Sequence, residues 1–268
     1  MTLDQIICGD NVEVLSTLPD ECIDLVVTSP PYDTLRVYGG FKLNFQNIAS
    51  ELIRVLKPGG VVVWVVADET VNGSETGSSF RQALWFMDNG MRLHDTMIYE
   101  KQQISFPDST RYYSCWEYMF VLSKGAPKTF NPIKEKNPLA GKPVTATKRG
   151  RDGVLVKDSG LINGKMRPEM SVKRNLWRYV TGNVGGSADD KIAYEHPAIF
   201  PDALAKDHIA SWSNPGDVIL DPFAGSGTTL KAAKELNRHW LGIEINPAYL
   251  EICHKRLAQD VLKLEDVK

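Results

Sequence analysis

Hydrophobic positions along the first hundred residues switch between two periods. Short apolar, β-branched runs at Ile6 to Cys8, Leu25 to Thr28 and Val61 to Val66, each bounded by turn formers, predict strands. Between the last two, Ile48, Leu52, Ile53 and Leu56 recur at helical spacing and predict a helix over 47–56. Lys57-Pro58-Gly59-Gly60 then stops the helix and turns into the next strand. Weaker strand signals follow near 96–99 and 118–122. From about 124 to 175 the periodicity fades, and Lys, Pro, Gly and Asn dominate. Lys148-Arg149-Gly150-Arg151-Asp152-Gly153 is the sharpest basic turn in that stretch. The segment reads either as a small irregular subdomain or as a loop that orders on a partner.

Regular alternation then returns. It predicts a helix over 201–212, a strand over 218–220, a helix over 228–236 and a strand over 240–245. A last helix starts at Pro247, where proline suits a first turn, and runs to about Lys263. Strand–helix alternation on this scale predicts an α/β fold, a mostly parallel sheet with helices on both faces. The expected organisation is a first half over 1–123, a basic region over 124–180, and a second half over 181–268 that completes the same domain.

A chain of 268 residues fits one large domain, or one domain with an insertion, and 43% hydrophobic residues can fill its core. The longest unbroken apolar run, Val61 to Ala67, is too short to cross a bilayer, and no basic-then-apolar segment opens the chain. A cytoplasmic protein with no membrane partner is expected. Cys8, Cys22, Cys115 and Cys253 stand far apart without a Cys-x-x-Cys pair, so neither a zinc site nor a disulfide framework is indicated. Charge changes the picture more. The net charge is −2, yet 14 of the 31 Lys and Arg residues lie between Lys124 and Arg178, with only 4 of the 33 Asp and Glu. Such a surface attracts a polyanion through counterion release, although a merely solvated basic face has the same composition.

Asp221-Pro222-Phe223-Ala224-Gly225-Ser226-Gly227-Thr228-Thr229 falls between a predicted strand and a predicted helix. Its glycines allow a tight turn and close approach to a ligand, and the amides opening the helix can receive polar atoms. No lysine follows Gly227, so this is not a P-loop. Leu230 stands where a dinucleotide fingerprint needs its third glycine, which argues against a nucleotide-dependent oxidoreductase. Glu244 ends the following strand, 23 residues after Asp221, where doubly wound folds place a carboxylate that accepts from ribose hydroxyls. Asp221 can face a cationic amino-acid moiety. Asp10, after another predicted strand, is either an adenine contact or a turn residue in Gly9-Asp10-Asn11. Two carboxylates without a phosphate-binding lysine suit S-adenosylmethionine, which carries a sulfonium, an ammonium and a ribose but no phosphate.

Ser29-Pro30-Pro31-Tyr32 follows the strand Leu25 to Thr28. Two prolines remove two backbone donors and hold the chain extended, leaving carbonyls to accept. Together with the Ser29 hydroxyl, such a carbonyl can grip both hydrogens of an amino group, while Tyr32 offers a face for stacking a base. Alone, the turn reads equally as a rigid proline corner. The chemistry it suits is transfer to an exocyclic amino nitrogen, whose lone pair is delocalised into the ring. Acceptors on its hydrogens favour a pyramidal nitrogen and aim the lone pair at a methyl donor, with no covalent enzyme intermediate.

Together these residues resemble the β group of bacterial and phage DNA amino-methyltransferases. Further matches are Gly9-Asp10, Leu56-Lys57-Pro58-Gly59-Gly60 and His196-Pro197-Ala198-x-Phe200-Pro201. The order, Ser-Pro-Pro-Tyr first, basic segment next and glycine turn last, is similar to a circular permutation of the Rossmann-like methyltransferase fold. The resemblance covers nearly the whole chain except about 125–175. It implies a site-specific enzyme moving a methyl group from S-adenosylmethionine to a base flipped out of double-stranded DNA. Ser29, Pro30, Pro31 and Tyr32 would hold the base. Phe223, Gly225, Ser226, Gly227 and Thr228 would line the cofactor pocket, Asp10, Asp221 and Glu244 would contact the cofactor, and His196 to Phe200 would cover its methionine end. The basic region would read the target, with Lys148, Arg149, Arg151, Lys173, Arg174 and Arg178 as DNA contacts. Adenine methylases of the group usually carry Asp where Ser29 stands, and Ser is more typical of cytosine methylases. Adenine methylases are the larger set, so adenine N6 is preferred slightly over cytosine N4. A homodimer is compatible with the group, though no sequence feature establishes one. The competing reading is a catalytically degenerate DNA-binding protein on the same fold.

Overall fold

Apolar, β-branched runs from both ends of the chain become the centre of one sheet. The computed structural model describes residues 1–31, 43–101, 110–144, 147–149, 152, 154–157, 165–180 and 201–259. They divide into a larger unit, Met1–Asn131 with Asn175–Lys268, and a smaller one, Pro132–Arg174. The larger unit opens with β1 (Gln5–Cys8), α1 (Asn11–Ser16), β2 (Ile23–Thr28), α2 (Phe45–Val55) and β3 (Leu56–Val66). A hairpin of β4 (Thr70–Val71) and β5 (Ser74–Glu75), then α3 (Ser78–Asp88), β6 (Arg92–Lys101) and β7 (Trp116–Ser123), complete its first part. The smaller unit holds β8 (Lys134–Lys136), β9 (Thr147–Arg149), β10 (Leu155–Lys157) and β11 (Met170–Val172). The larger unit resumes with β12 (Leu176–Tyr179), α4 (Asp202–Trp212), β13 (Val218–Asp221), α5 (Thr228–Glu235), β14 (His239–Glu244) and α6 (Pro247–Leu257).

Eight strands pair in the order β1-β14-β13-β2-β3-β7-β6-β12. Every neighbouring pair is parallel except the two that β7 makes, with β3 and with β6. The glycine-turn strand β13, late in the chain, therefore sits in mid-sheet beside β2 from the first half, as a permuted fold requires. Strand alternation sorts the core onto two faces. Val26, Val62, Trp64 and Leu220 pack with Leu15 of α1, Leu52 of α2 and Phe86 of α3. On the opposite face, His208 of α4 meets Met119, and Thr229 of α5 donates to the Val27 carbonyl. The expected α/β architecture with helices on both faces is the one the chain adopts.

Local differences from the sequence reading have identifiable causes. Lys57 to Gly60 does not separate a helix from a strand; it lies inside β3. Ile23 pairs with Leu56 but Leu25 pairs with Val61, so the extra residues bulge out of the ladder, with Gly59 at φ +78°. The last helix ends at Leu257 rather than near Lys263. β12, within the expected basic region, joins the edge of the main sheet instead. Helix α3 has a weak sequence signal because Phe80, Leu84 and Met87 are exposed while Ala83 and Phe86 are buried, which blurs the apolar stripe. Among the described residues no helix is long and apolar enough to cross a membrane.

Candidate active site

β1, β14, β13 and β2 run parallel and end at one sheet edge, so the segments that follow them stand side by side. From β13 the chain passes through α5 to β14 on one side, and from β2 through α2 to β3 on the other. This reversal is where open α/β sheets leave a crevice beyond the strand ends. Read along that edge, Asp10 follows β1, Glu244 ends β14, Asp221 ends β13, and Thr28 ends β2 with Ser29 next. Neighbouring strands stand about 4.8 Å apart, so three carboxylates and the proline turn form one row.

Asp221 and Thr28 tie the two turns together. The Thr28 hydroxyl donates to Asp221 Oδ1 at 2.6 Å, and the Phe223 amide donates to the same oxygen at 3.0 Å. Both Asp221 and Thr28 are fully buried. Burial pushes the Asp221 carboxyl up to about 6, the Thr28 and Phe223 bonds holding it down against that and the nearby Glu244 charge adding to the rise. Glu244 is also buried and its carboxyl is raised, chiefly by desolvation. Its Oε2 accepts from the Gly225 amide at 2.9 Å and its Oε1 from the Asn246 amide at 2.8 Å. It thereby braces the glycine turn. Asp10 is the N-cap of α1, its Oδ1 accepting from the Val12 and Glu13 amides. Asn11 beside it donates to the Pro222 carbonyl at 3.5 Å, linking this corner to the glycine turn.

The glycine turn is held from behind. Gly225 and Gly227 have φ of +49° and +80°, a region open to glycine at little cost. A Cβ on Gly227 would lie 2.3 Å from the Cys253 sulfur, so this glycine is needed for packing against α6. That changes the expected reason for its intolerance of a side chain: substitution collides with the core. Burial pushes the Cys253 thiol up to about 12, which makes it an inert packing group. Phe223 is half-buried and packs edge-on against Trp64 with ring centroids 6.3 Å apart. The hydroxyls of Ser226 and Thr228 both receive a hydrogen bond from Arg256, a buried residue of α6 to which the sequence reading gave no role. The readable signal for Arg256 was its place in an apolar stripe with Ile252, Cys253 and Leu257.

Other expected site residues are placed as follows. Ser29 and Pro31 are half-buried and Pro30 is buried, directly after β2. Tyr32, Arg151, His196 and Phe200 lie outside the described residues. In the smaller unit, Lys148 and Arg149 fall in β9, while Lys173 is half-buried and Arg174 exposed just after β11. Arg178 is not in that unit at all. It sits in β12, where its Nε and Nη2 grip both oxygens of Glu100 at 3.0 and 2.7 Å while the side chain stays largely exposed.

The donor set fits S-adenosylmethionine. Asp221 and Glu244 are desolvated carboxylates whose ionised forms a cationic ligand would stabilise. A phosphate-bearing cofactor would meet carboxylates instead, and the guanidinium behind the turn is committed to Ser226, Thr228 and Asp202. Among the described residues no cluster of His, Cys, Asp and Glu is arranged to hold a metal ion.

Known proteins share both sequence and architecture. The orphan methyltransferase M.BamHII of Bacillus amyloliquefaciens is 52% identical over 246 residues, 91% of each chain. The type II methyltransferase M.SmaI of Serratia marcescens is 28% identical, covering 94% of this chain and 90% of its own. Among solved structures, the PvuII DNA methyltransferase (cytosine-N4-specific) superposes with a TM-score of 0.67 at 21% identity, covering 97% of this chain and 88% of its own. The protein TTHA0409 of Thermus thermophilus, solved with S-adenosyl-L-methionine, matches at 26% identity and a TM-score of 0.61, covering 94% of both chains. The family model described as DNA methylase (N6_N4_Mtase) matches residues 23–255, nearly the whole sheet-bearing chain, and the protein belongs to that family of DNA methylases.

Proposed function

We propose that the row of carboxylates and the adjoining proline turn form the active site of an S-adenosylmethionine-dependent DNA methylase acting on the exocyclic amino group of a flipped base. The Thr28–Asp221 hydrogen bond carries this reading. It fastens the base turn to the cofactor turn across 193 residues of sequence, at the crevice of the sheet. Along the row, Asp10 faces the adenine end of the cofactor, Glu244 the ribose and Asp221 the cationic methionine end; the family resemblance, not the row, assigns His196 to Phe200 to that end as well. Ser29 then falls next to the sulfonium side. Bound there, S-adenosylmethionine supplies an electrophilic methyl group.

The protein's own contribution is positioning and polarity. The Ser29 hydroxyl and a carbonyl of the Pro30-Pro31 turn accept from the amino hydrogens and aim the nitrogen lone pair at the methyl donor, and the nitrogen gives up one of those hydrogens as a proton to solvent once methylated. Tyr32 stacks on the extruded ring. Ser29 is neutral and accepts from adenine N6 or cytosine N4 alike; adenine N6 is the reading to test first. The Pro132–Arg174 unit, with Lys148, Arg149, Arg151, Lys173 and Arg174, is assigned to the duplex, in cytoplasmic DNA. Sequencing modified bases in DNA from a host expressing the protein tests the assignment. Methylated amino groups at one recurrent sequence, lost with Tyr32→Ala, are expected. An unmodified genome with a folded, expressed protein would leave a DNA-binding role instead.

A further inference from the structure

Arg256 is a buried charged side chain behind the site, with none of its side chain exposed. Nη1 donates to the Ser226 carbonyl at 2.8 Å and to the hydroxyls of Ser226 and Thr228 at 3.0 Å each. Nη2 reaches Asp202 Oδ1 at 3.2 Å. Ser226 and Thr228 flank Gly227 at the tip of the glycine turn, and Asp202 is the first residue of α4. One guanidinium therefore fastens three pieces of chain that are remote in sequence: the turn, the start of α4 and the end of α6.

A planar fork of donors suits this arrangement, and a lysine ammonium does not reproduce it. Placing a charge in the interior is unfavourable unless each donor is satisfied, so the contacts fix the loop as much as the loop fixes the arginine. The glycines that give the turn its path also leave it conformationally free, and Arg256 removes that freedom. We propose that Arg256 is a positioning residue for the cofactor. It pre-shapes the glycine turn and the start of α4, so that cofactor binding does not have to order them. The proposal rests on the reading that the glycine turn holds S-adenosylmethionine.

The test is calorimetric titration of S-adenosylmethionine into the full-length wild type, Arg256→Lys and Asp202→Asn proteins, alongside DNA binding and thermal unfolding of each. Arg256→Lys should weaken the cofactor by about tenfold or more, and Asp202→Asn by a smaller factor, each bond to a charged group being worth about that much. DNA affinity should stay within about twofold of wild type. In steady state the loss should fall on KM for the cofactor, with kcat at saturation largely kept. Unchanged cofactor affinity in folded Arg256→Lys overturns the proposal, as do parallel losses of cofactor and DNA binding that track thermal stability. If Arg256→Lys does not fold, Asp202→Asn decides: unchanged cofactor affinity there overturns it. Asp221→Asn separates this from the underlying site reading. If Asp221→Asn binds the cofactor as wild type does, the site assignment itself fails. If it binds weakly while the Arg256 and Asp202 variants bind normally, only the role of Arg256 fails.

Discussion

The glycine-turn region and the basic unit are built in opposite ways. From Asp221 to Leu230 every residue but Phe223 is buried, and carboxylates, hydroxyls and a guanidinium there are joined by bonds of 2.6–3.2 Å. Among the described residues of Pro132–Arg174 none is buried, and Leu139, Val154, Met166, Met170 and Val172 are exposed. Its strands are three-residue antiparallel pairs, too short to stand without other support. It carries eleven Lys and Arg against four Asp and Glu. Methyl transfer demands reacting atoms held to fractions of an ångström, which only a packed frame supplies. On the proposed reading the basic unit meets phosphates, and attraction to them needs charge more than fixed geometry.

That contrast makes graded predictions. Gly227→Val should have the largest effect, since its side chain must enter space held by Cys253 at a φ that valine resists. A loss on the order of 3 kcal/mol or more in chemical denaturation is expected. Asp221→Asn should come next and split stability from function. Its carboxyl, at about 6, lies above the ordinary 3.8, so the folded apo protein holds that proton more tightly than the unfolded chain does. The associated stability is fully present below about pH 4 and is lost as pH rises through about 6. Asp221→Asn should therefore stabilise the apo protein at pH 7, by on the order of 2 kcal/mol in thermal or denaturant unfolding. It should also weaken S-adenosylmethionine by about 100-fold in calorimetry. Wild-type cofactor affinity should decline as pH falls below about 6, and the variant should lose Asp221's share of that dependence while Glu244, also raised, keeps its own.

Thr28→Val removes one hydrogen bond to Asp221 without changing side-chain volume much. An approximately tenfold loss in kcat/KM is expected, recovered by Thr28→Ser. In the basic unit single changes should be milder. Arg174→Ala should weaken DNA by a few fold and lower the slope of log affinity against log salt by about 1 per lost phosphate contact. Arg178→Ala should do less, because Glu100 already holds that guanidinium. Equal losses from Arg174 and Arg178 would break the distinction between the unit and the sheet edge.

Much of the sheet was legible because β2 and the second half of β3 are buried on both faces and read as unbroken apolar runs. The two turns were legible because Gly225, Gly227, Pro30 and Pro31 are residues that backbone geometry singles out. What the sequence hid was long-range polar pairing. Thr28 looked like the end of a strand until Asp221 came beside it. Arg256 drew no role from the sequence, because a lone cation in a helix does not announce the buried hydroxyls of Ser226 and Thr228 that it meets. Asp10 combined a position in the carboxylate row with a capping role that local sequence fits equally well. The bulge at Lys57 to Gly60 carries turn residues, and only pairing with β2 reveals that the strand continues through it. Arg178 belongs to the basic stretch of the sequence, and charge in sequence does not report a partner such as Glu100.

The central claim is that the proline turn and the glycine turn act together to methylate an amino nitrogen of DNA. Its most direct measurement is a single turnover on mixed-sequence duplex DNA with labelled S-adenosylmethionine, followed by digestion to nucleosides and mass identification of the product. The account predicts one labelled nucleoside carrying the methyl group on adenine N6 or cytosine N4. Label on cytosine C5, or on RNA or a small molecule with none on DNA, would contradict it.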